Sequence, residues 1–209
     1  MGSNESRKSK IRLLVTVWIL FVLLLVGVGA FFFLNRDELA SEFTGGGSEQ
    51  SAKLLDENDE INILVVTYLN ALTSCDKNLL QKSTTDPSQF DDMTMVTNTA
   101  RIVTSFSNIK CYSMKGLTED TYVVYAVSNI SINGVRSNPL DIVRYYVVKG
   151  ENGYLIDNSS LSKEVYDYIE SLKQNSSVSS LYRQVNEDEE RCAKEDETFK
   201  AFYDRLREE

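Results

Sequence analysis

The chain has 209 residues, 22 of them basic and 31 acidic, and no histidine. It therefore lacks the usual general base at neutral pH, the Ser-His and Cys-His nucleophile pairs and the commonest metal ligand. Residues 35–209 hold 18 basic and 30 acidic side chains, a net charge of −12. A domain this acidic is poorly suited to nucleic acid and is repelled by anionic lipid headgroups.

Residues 1–12 form a short tail containing Arg7, Lys8, Lys10 and Arg12. Residues 13–34 follow as an unbroken apolar run without charge. At about 1.5 Å per residue the run is long enough to cross a hydrocarbon core of roughly 30 Å. Basic residues resist translocation, so this pattern predicts a single-pass protein of the plasma membrane. Its N-terminus is cytoplasmic, its remainder lies outside, and the lipid bilayer is its first partner. A cleaved signal peptide is the competing reading, with Gly27-Val28-Gly29-Ala30 as its cleavage region. The apolar core is longer than signal peptides use, and Phe31, Phe32 and Phe33 crowd its outer end.

Residues 35–55 read as a flexible linker built around Thr44-Gly45-Gly46-Gly47-Ser48. A folded domain is expected over residues 56–160. Asn58 or Asp59 caps a helix whose buried face is Ile61, Leu64, Val65, Tyr68, Leu69 and Leu72, ending near Ser74-Cys75. Asp76 caps a second short helix, Pro87 breaks the chain, and a third helix or turn runs from Asp91 to Arg101. Four strands rich in Val, Ile and Tyr then occupy 109–114, 121–132, 141–149 and 153–157. Turn signals separate them at Lys115-Gly116, Asn133-Gly134 and Gly150–Gly153. Helices followed by a meander of strands predict an α+β domain.

Residues 161–209 form an acidic helical extension. Val165, Tyr168, Ile169 and Leu172 suit an amphipathic helix that Asn175-Ser176-Ser177 interrupts. Val178, Leu181, Val185, Asp188, Cys192, Glu195, Phe199, Phe202 and Leu206 then recur at alternating spacings of 3 and 4. Two acids spoil this heptad seam. The stripe of Leu181, Val185, Phe199, Phe202 and Leu206 fits a partner or a second chain, or else covers its own domain. The acidic runs Glu187–Glu190 and Glu195–Glu197 lack the spacing of a calcium-binding loop, and a solvated helix face explains them. Cys75, Cys111 and Cys192 show no metal-ligand spacing. Cys75 and Cys111 either bridge in an oxidising compartment or stay small buried hydrophobes.

The order of capped helix, short helix, third segment and meander resembles the NTF2-like superfamily. That is an α+β fold whose N-terminal helices pack on a curved four-stranded antiparallel sheet to form a cone. The residues carrying the likeness are Ile63–Leu72 with Cys75-Asp76, then Tyr122–Val127, Ile132–Val135, and Tyr145–Val148 closed by Gly153–Asp157. Extracytoplasmic members from Gram-positive bacteria look especially close. The plan of basic tail, one span and outer domain is similar to VirB8-like subunits of type IV secretion and conjugation machinery, which act as assembly scaffolds. The acidic tail after Ser160 has no obvious counterpart there.

Enzymes of the superfamily place carboxylates or a tyrosine inside the cone. The resemblance thus implies Tyr68, Tyr125, Tyr145 and Asp157 as candidate cone-lining groups. On the residues alone, Asp157 reads as a turn residue and the tyrosines as packed rings with locally bonded hydroxyls. Arg144, inside an apolar strand, pairs with an acid or faces water. The expectation is a non-enzymatic protein that binds or scaffolds other envelope proteins, self-association included, with no cofactor, no metal and no nucleic acid. The alternative is a cone that binds a small molecule or lipid, with carboxylate and tyrosine chemistry of an isomerase or hydrolase type. That alternative requires an open pocket with converging polar groups and a shifted acid.

Overall fold

A computed structural model describes residues 50–207. The basic tail, the apolar run 13–34 and nearly all of the linker lie outside the described residues. Among those described, no helix is long and apolar enough to cross a membrane.

Three long strands dictate the architecture. Strands β2 (Val103–Lys115), β3 (Thr121–Ile132) and β4 (Leu140–Gly150) form an antiparallel sheet that β5 (Gly153–Ile156) extends on one side. A two-residue strand, β1 (Lys53–Leu54), pairs with Tyr112 and Ser113 on the other side, giving the order β1-β2-β3-β4-β5. Sequence pattern alone predicts four strands. The fifth comes from what reads as linker, because two exposed residues carry no periodicity. The β2–β3 turn needs a glycine: a Cβ on Gly116 would lie 2.2 Å from Thr121 Oγ1. The β3–β4 turn holds Gly134 at φ +81°, a conformation glycine adopts without strain.

Six helices complete the α+β fold among the described residues. Helix α1 (Glu60–Ser74) starts where Asp59 accepts the Ile61 N–H and ends at Cys75 in the left-handed region. Asp76 then caps α2 (Lys77–Lys82). A 3₁₀ turn at Pro87–Phe90 leads into α3 (Thr94–Ala100). After the sheet come α4 (Lys163–Ser171), a short 3₁₀ turn, α5 (Ser176–Glu195) and α6 (Glu197–Arg207). Asn175 caps α5, so the predicted interruption is a helix start.

Both faces of the sheet are covered. On one face, Ile61, Val65 and Leu69 of α1 pack on Cys111, Val124, Ala126, Val143 and Val147. On the other, Ile169, Val178, Leu181, Tyr182 and Val185 pack on Val123, Tyr125, Val127, Ile142 and Tyr146. Beyond the start of β4, Cys192 and Phe199 close over Val103, Ile130 and Ile132. The stretches Val123–Val127 and Ile142–Val147 are therefore nearly continuous in apolar residues, as strands buried on both sides require.

This arrangement makes the C-terminal helices part of the core. We expect Leu69→Ala and Leu181→Ala each to cost about 2–5 kcal/mol in urea unfolding. A loss below about 0.5 kcal/mol for Leu181→Ala, the size of a surface substitution, would show that α5 does not hold the sheet.

Candidate functional site

One set of buried polar groups lies on the sheet face that α1 covers. Alternation along β4 turns Asp141, Val143, Tyr145 and Val147 toward α1. Tyr68 comes from the opposite side, its ring edge-on to Tyr145 with centroids 5.6 Å apart and edge-on to Phe90 at 6.4 Å. The Tyr145 hydroxyl is buried without a hydrogen-bond partner. Burial, with Tyr68, Asp141 and Cys111 nearby, pushes its phenol well above the usual tyrosine range. Burial alone raises Tyr68 to about 12. Asp141 is 6% exposed and lies opposite Ser128 on β3. Burial lifts its carboxyl to about 7, against the opposing pull of a hydrogen bond from the Ile142 N–H. The group thus joins a carboxyl that exchanges its proton near neutrality to phenols that stay protonated.

Of the four candidate cone-lining residues, only Tyr68 and Tyr145 meet. Tyr125 points to the opposite face, where its ring stands edge-on to Tyr182 at 6.1 Å. Asp157 closes β5 as a turn acceptor: its Oδ1 receives the Thr85 hydroxyl at 2.9 Å and the Ser159 N–H at 3.0 Å. Asp141 is the residue that sequence reasoning missed. Its signal was there in the strict alternation with Val143, Tyr145 and Val147, which places an acid on an inward-facing row. Arg144 pairs with Glu170 of α4 at 3.1 Å.

The candidate stripe lies against the protein's own sheet: Leu181 and Val185 in the α5 layer, Phe199 and Phe202 over the ends of β2 and β3. The side chain of Leu206 lies outside those described. The acids interrupting the heptad have local duties. Asp188 accepts the Leu140 N–H at 2.8 Å and pairs with Arg191, which also reaches Glu195 at 3.0 Å. Cys75 and Cys111 are free thiols. Cys111 lies in the core under α1, where burial raises it to about 12, while Cys75 terminates α1. Among the described residues no cluster of three or more acids or cysteines is arranged to hold a metal.

Two surface depressions flank α1. One, of about 420 Å³, runs between its outer side and β2, over Ile63, Val66, Phe106 and Ile109. The other, of about 430 Å³, lies beside the α1 N-terminus and is walled by Tyr122 and Tyr154 with Lys53 and Lys115 at its rim. Neither includes Tyr68, Asp141, Tyr145 or Asp157. No protein-family model, curated protein or solved structure matches the chain.

An orphaned buried hydroxyl costs about 1–3 kcal/mol of desolvation. Tyr145→Phe is accordingly expected to leave thermal stability unchanged or raise it by about 1 kcal/mol. Clear destabilisation in the same melt would reveal a buried partner, such as water, for that hydroxyl.

Proposed function

We propose that the chain is a single-pass, membrane-anchored envelope protein whose outer domain binds or scaffolds other proteins without chemistry of its own. The observation that carries this reading is the closed interior. Tyr68, Phe90, Tyr145 and the apolar face of α1 fill the space in which an enzyme of this layout would hold its substrate. The order of three helices, then a meander, with α1 on the sheet, supports an NTF2-like domain. With the basic tail and the run 13–34, it supports a VirB8-like scaffold role in a conjugation or secretion assembly.

The contact surface we assign to this role is the groove between α1 and β2. Residues 61–75 and 93–118 contain no acid, although residues 35–209 as a whole carry a net −12; Glu57 is the one acid lining the groove. Ile63 is 50% exposed at its edge, and a large half-exposed apolar side chain in a patch poor in charge favours association. The occupant is a second copy of the chain. Two such domains repel each other across their acidic surfaces and approach at least cost through this face, where Glu57 is the one lining acid.

A second reading has one observation in its favour, the readily protonated Asp141 on the same face of β4 as Tyr145. It requires the interior to open, so soaking with small carboxylates or steroid-sized hydrophobes should shift the melting of wild type but not of Asp141→Asn. No shift with either protein removes it.

For the scaffold reading, a C-terminal tag should be accessible only from outside intact cells. Its finding in the cytosol would overturn the topology. Ser107, exposed in the groove, tests the contact. In membranes, Ser107→Cys should form interchain disulfides well above wild type and above Tyr166→Cys, an exposed position on α4. Ile63→Glu should abolish them by placing like charges face to face. Equal cross-linking at Ser107 and Tyr166 would exclude this face.

A further inference from the structure

The recess beside the α1 N-terminus brings together charges of both signs that do not pair with each other. Lys53 of β1 lies opposite Ser113 of β2, and Lys115 follows Ser113 by two residues. Ser113 in turn lies opposite Val124, whose side chain packs under α1. Alternation therefore puts both lysines on the sheet face that α1 covers, as neighbours on one wall of the recess. The other wall is the start of α1, with Asp59 and Glu60.

Among the described residues, Lys53 and Lys115 form no ion pair, whereas Lys77, Lys163, Lys173, Lys194 and Lys200 each hold an acid. Glu60 forms none there either. Asp59 is partly committed, since one of its oxygens caps α1 by accepting the Ile61 N–H at 2.9 Å. The open space of about 430 Å³ lies between these walls, and no direct pair closes across it.

The rest of the lining is apolar and aromatic. Leu55 and Ile61 belong to the core under α1. Tyr122 and Tyr154 stand edge-on with centroids 5.7 Å apart. Lysines hold both rings. Lys115 Nζ donates to the Tyr122 hydroxyl at 3.3 Å and lies 4.8 Å from that ring's centroid. Lys149 Nζ lies 4.7 Å from the Tyr154 centroid. A hydrogen bond with Tyr122 pushes the Tyr154 phenol up to about 12, so it adds no charge. Walls already held in place lose little freedom when a ligand enters. The volume also falls within the roughly 300–1,000 Å³ usual for small ligands.

We infer that this recess binds a short zwitterionic peptide, with its free carboxylate between Lys53 and Lys115 and its free amine at Glu60. A simple anion is drawn to the lysines but repelled by Asp59, Glu60 and the acidity of the whole domain; a simple cation meets the reverse. An uncharged ligand covers both walls and satisfies neither, which costs free energy. Separated charges satisfy both at once. Selectivity follows because a ligand lacking either end leaves a charge on the protein unpaired. An extended chain covers roughly 3.3–3.6 Å per residue, so about two or three residues bridge the walls. Small apolar side chains then lie against Tyr122 and Tyr154.

Calorimetric titration of the full chain in a non-ionic detergent, with trialanine as the probe, reads this directly. Saturable binding is expected with a Kd below about 1 mM. Acetylating the amine or amidating the carboxylate should each weaken it at least about tenfold, the loss of one charge-assisted contact. Lys53→Met and Glu60→Gln alter exposed side chains, and circular dichroism checks that each variant folds. Lys53→Met should weaken trialanine about tenfold yet leave the amidated peptide unchanged. Glu60→Gln should weaken trialanine likewise and leave the acetylated peptide unchanged. Equimolar inorganic phosphate should not displace the probe. The site is overturned by an absence of saturable binding, by equal affinity for the blocked peptides, or by unchanged affinity in either folded variant. Displacement by phosphate overturns it too, marking a plain anion site instead. Neither Ser107 cross-linking nor tag accessibility depends on the outcome.

Discussion

The structure depends on a sheet that has no solvent side. Strands β3 and β4 carry large apolar side chains in both directions, so neither face can be left to water. Each fully buried Val, Leu or Ile contributes about 1.5–3 kcal/mol by leaving water, and α1 alone can cover only one face. The C-terminal helices are needed for the other. Tyr125 illustrates the constraint: it is fully buried from the face opposite α1, and only the α4–α5 layer covers it there. A chain ending near residue 160 would expose Val123, Val127, Ile142 and Tyr146 as a contiguous apolar surface, which favours aggregation.

Covering the second face requires strongly acidic helices to approach a sheet, and the acids take part in the contact. A carboxylate that accepts backbone N–H groups loses water but gains charge-assisted bonds. Asp188 and Asp196 do this for the N–H groups of Arg136, Ser137 and Leu140 at the β3–β4 turn. Asp59, Asp76 and Asp86 do the same at helix starts. The high acid content is therefore partly structural. It supplies acceptors wherever the chain changes direction, and solubility is a consequence of the rest.

Much of this was legible in the sequence because it follows local rules. Helix α1 has a capping acid, a 3-4-3-4 apolar face and a clean stop. The Lys115-Gly116 and Asn133-Gly134 turns require glycine geometry, and the long strands are rich in β-branched residues. What was not legible depends on tertiary context. The β1 pair has no pattern, because two residues cannot show a period. The heptad after Val178 was ambiguous, since an apolar stripe says that a helix is covered without saying by what. Asp141 and Glu189 were hidden for a different reason. Buried acids run against the residue preferences that make burial predictable, and Glu189 stands in a run of four acids that reads as a wet helix face. Among the candidate site residues, helix periodicity put Tyr68 on the α1 face that packs on the sheet, while Tyr145 was a candidate through the resemblance alone. Nothing local separated them from Tyr125, which sits one residue out of phase with the α1-facing row.

The same packing logic limits where a partner can bind. The stripe that best resembled a coiled-coil seam is occupied by the protein's own sheet, so recruiting it would require α5 to leave. That would expose the apolar residues it covers and separate Asp188 and Asp196 from the N–H groups they serve. The outer side of α1 carries no such cost. Ile63 and Val66 face the groove, whereas Ile61, Val65 and Leu69 hold the core, so α1 presents one face inward and a second outward. An α-helix whose inner face is fixed by a rigid sheet offers its outer face with little conformational entropy left to lose. Association there costs less ordering than on any segment that must first be released.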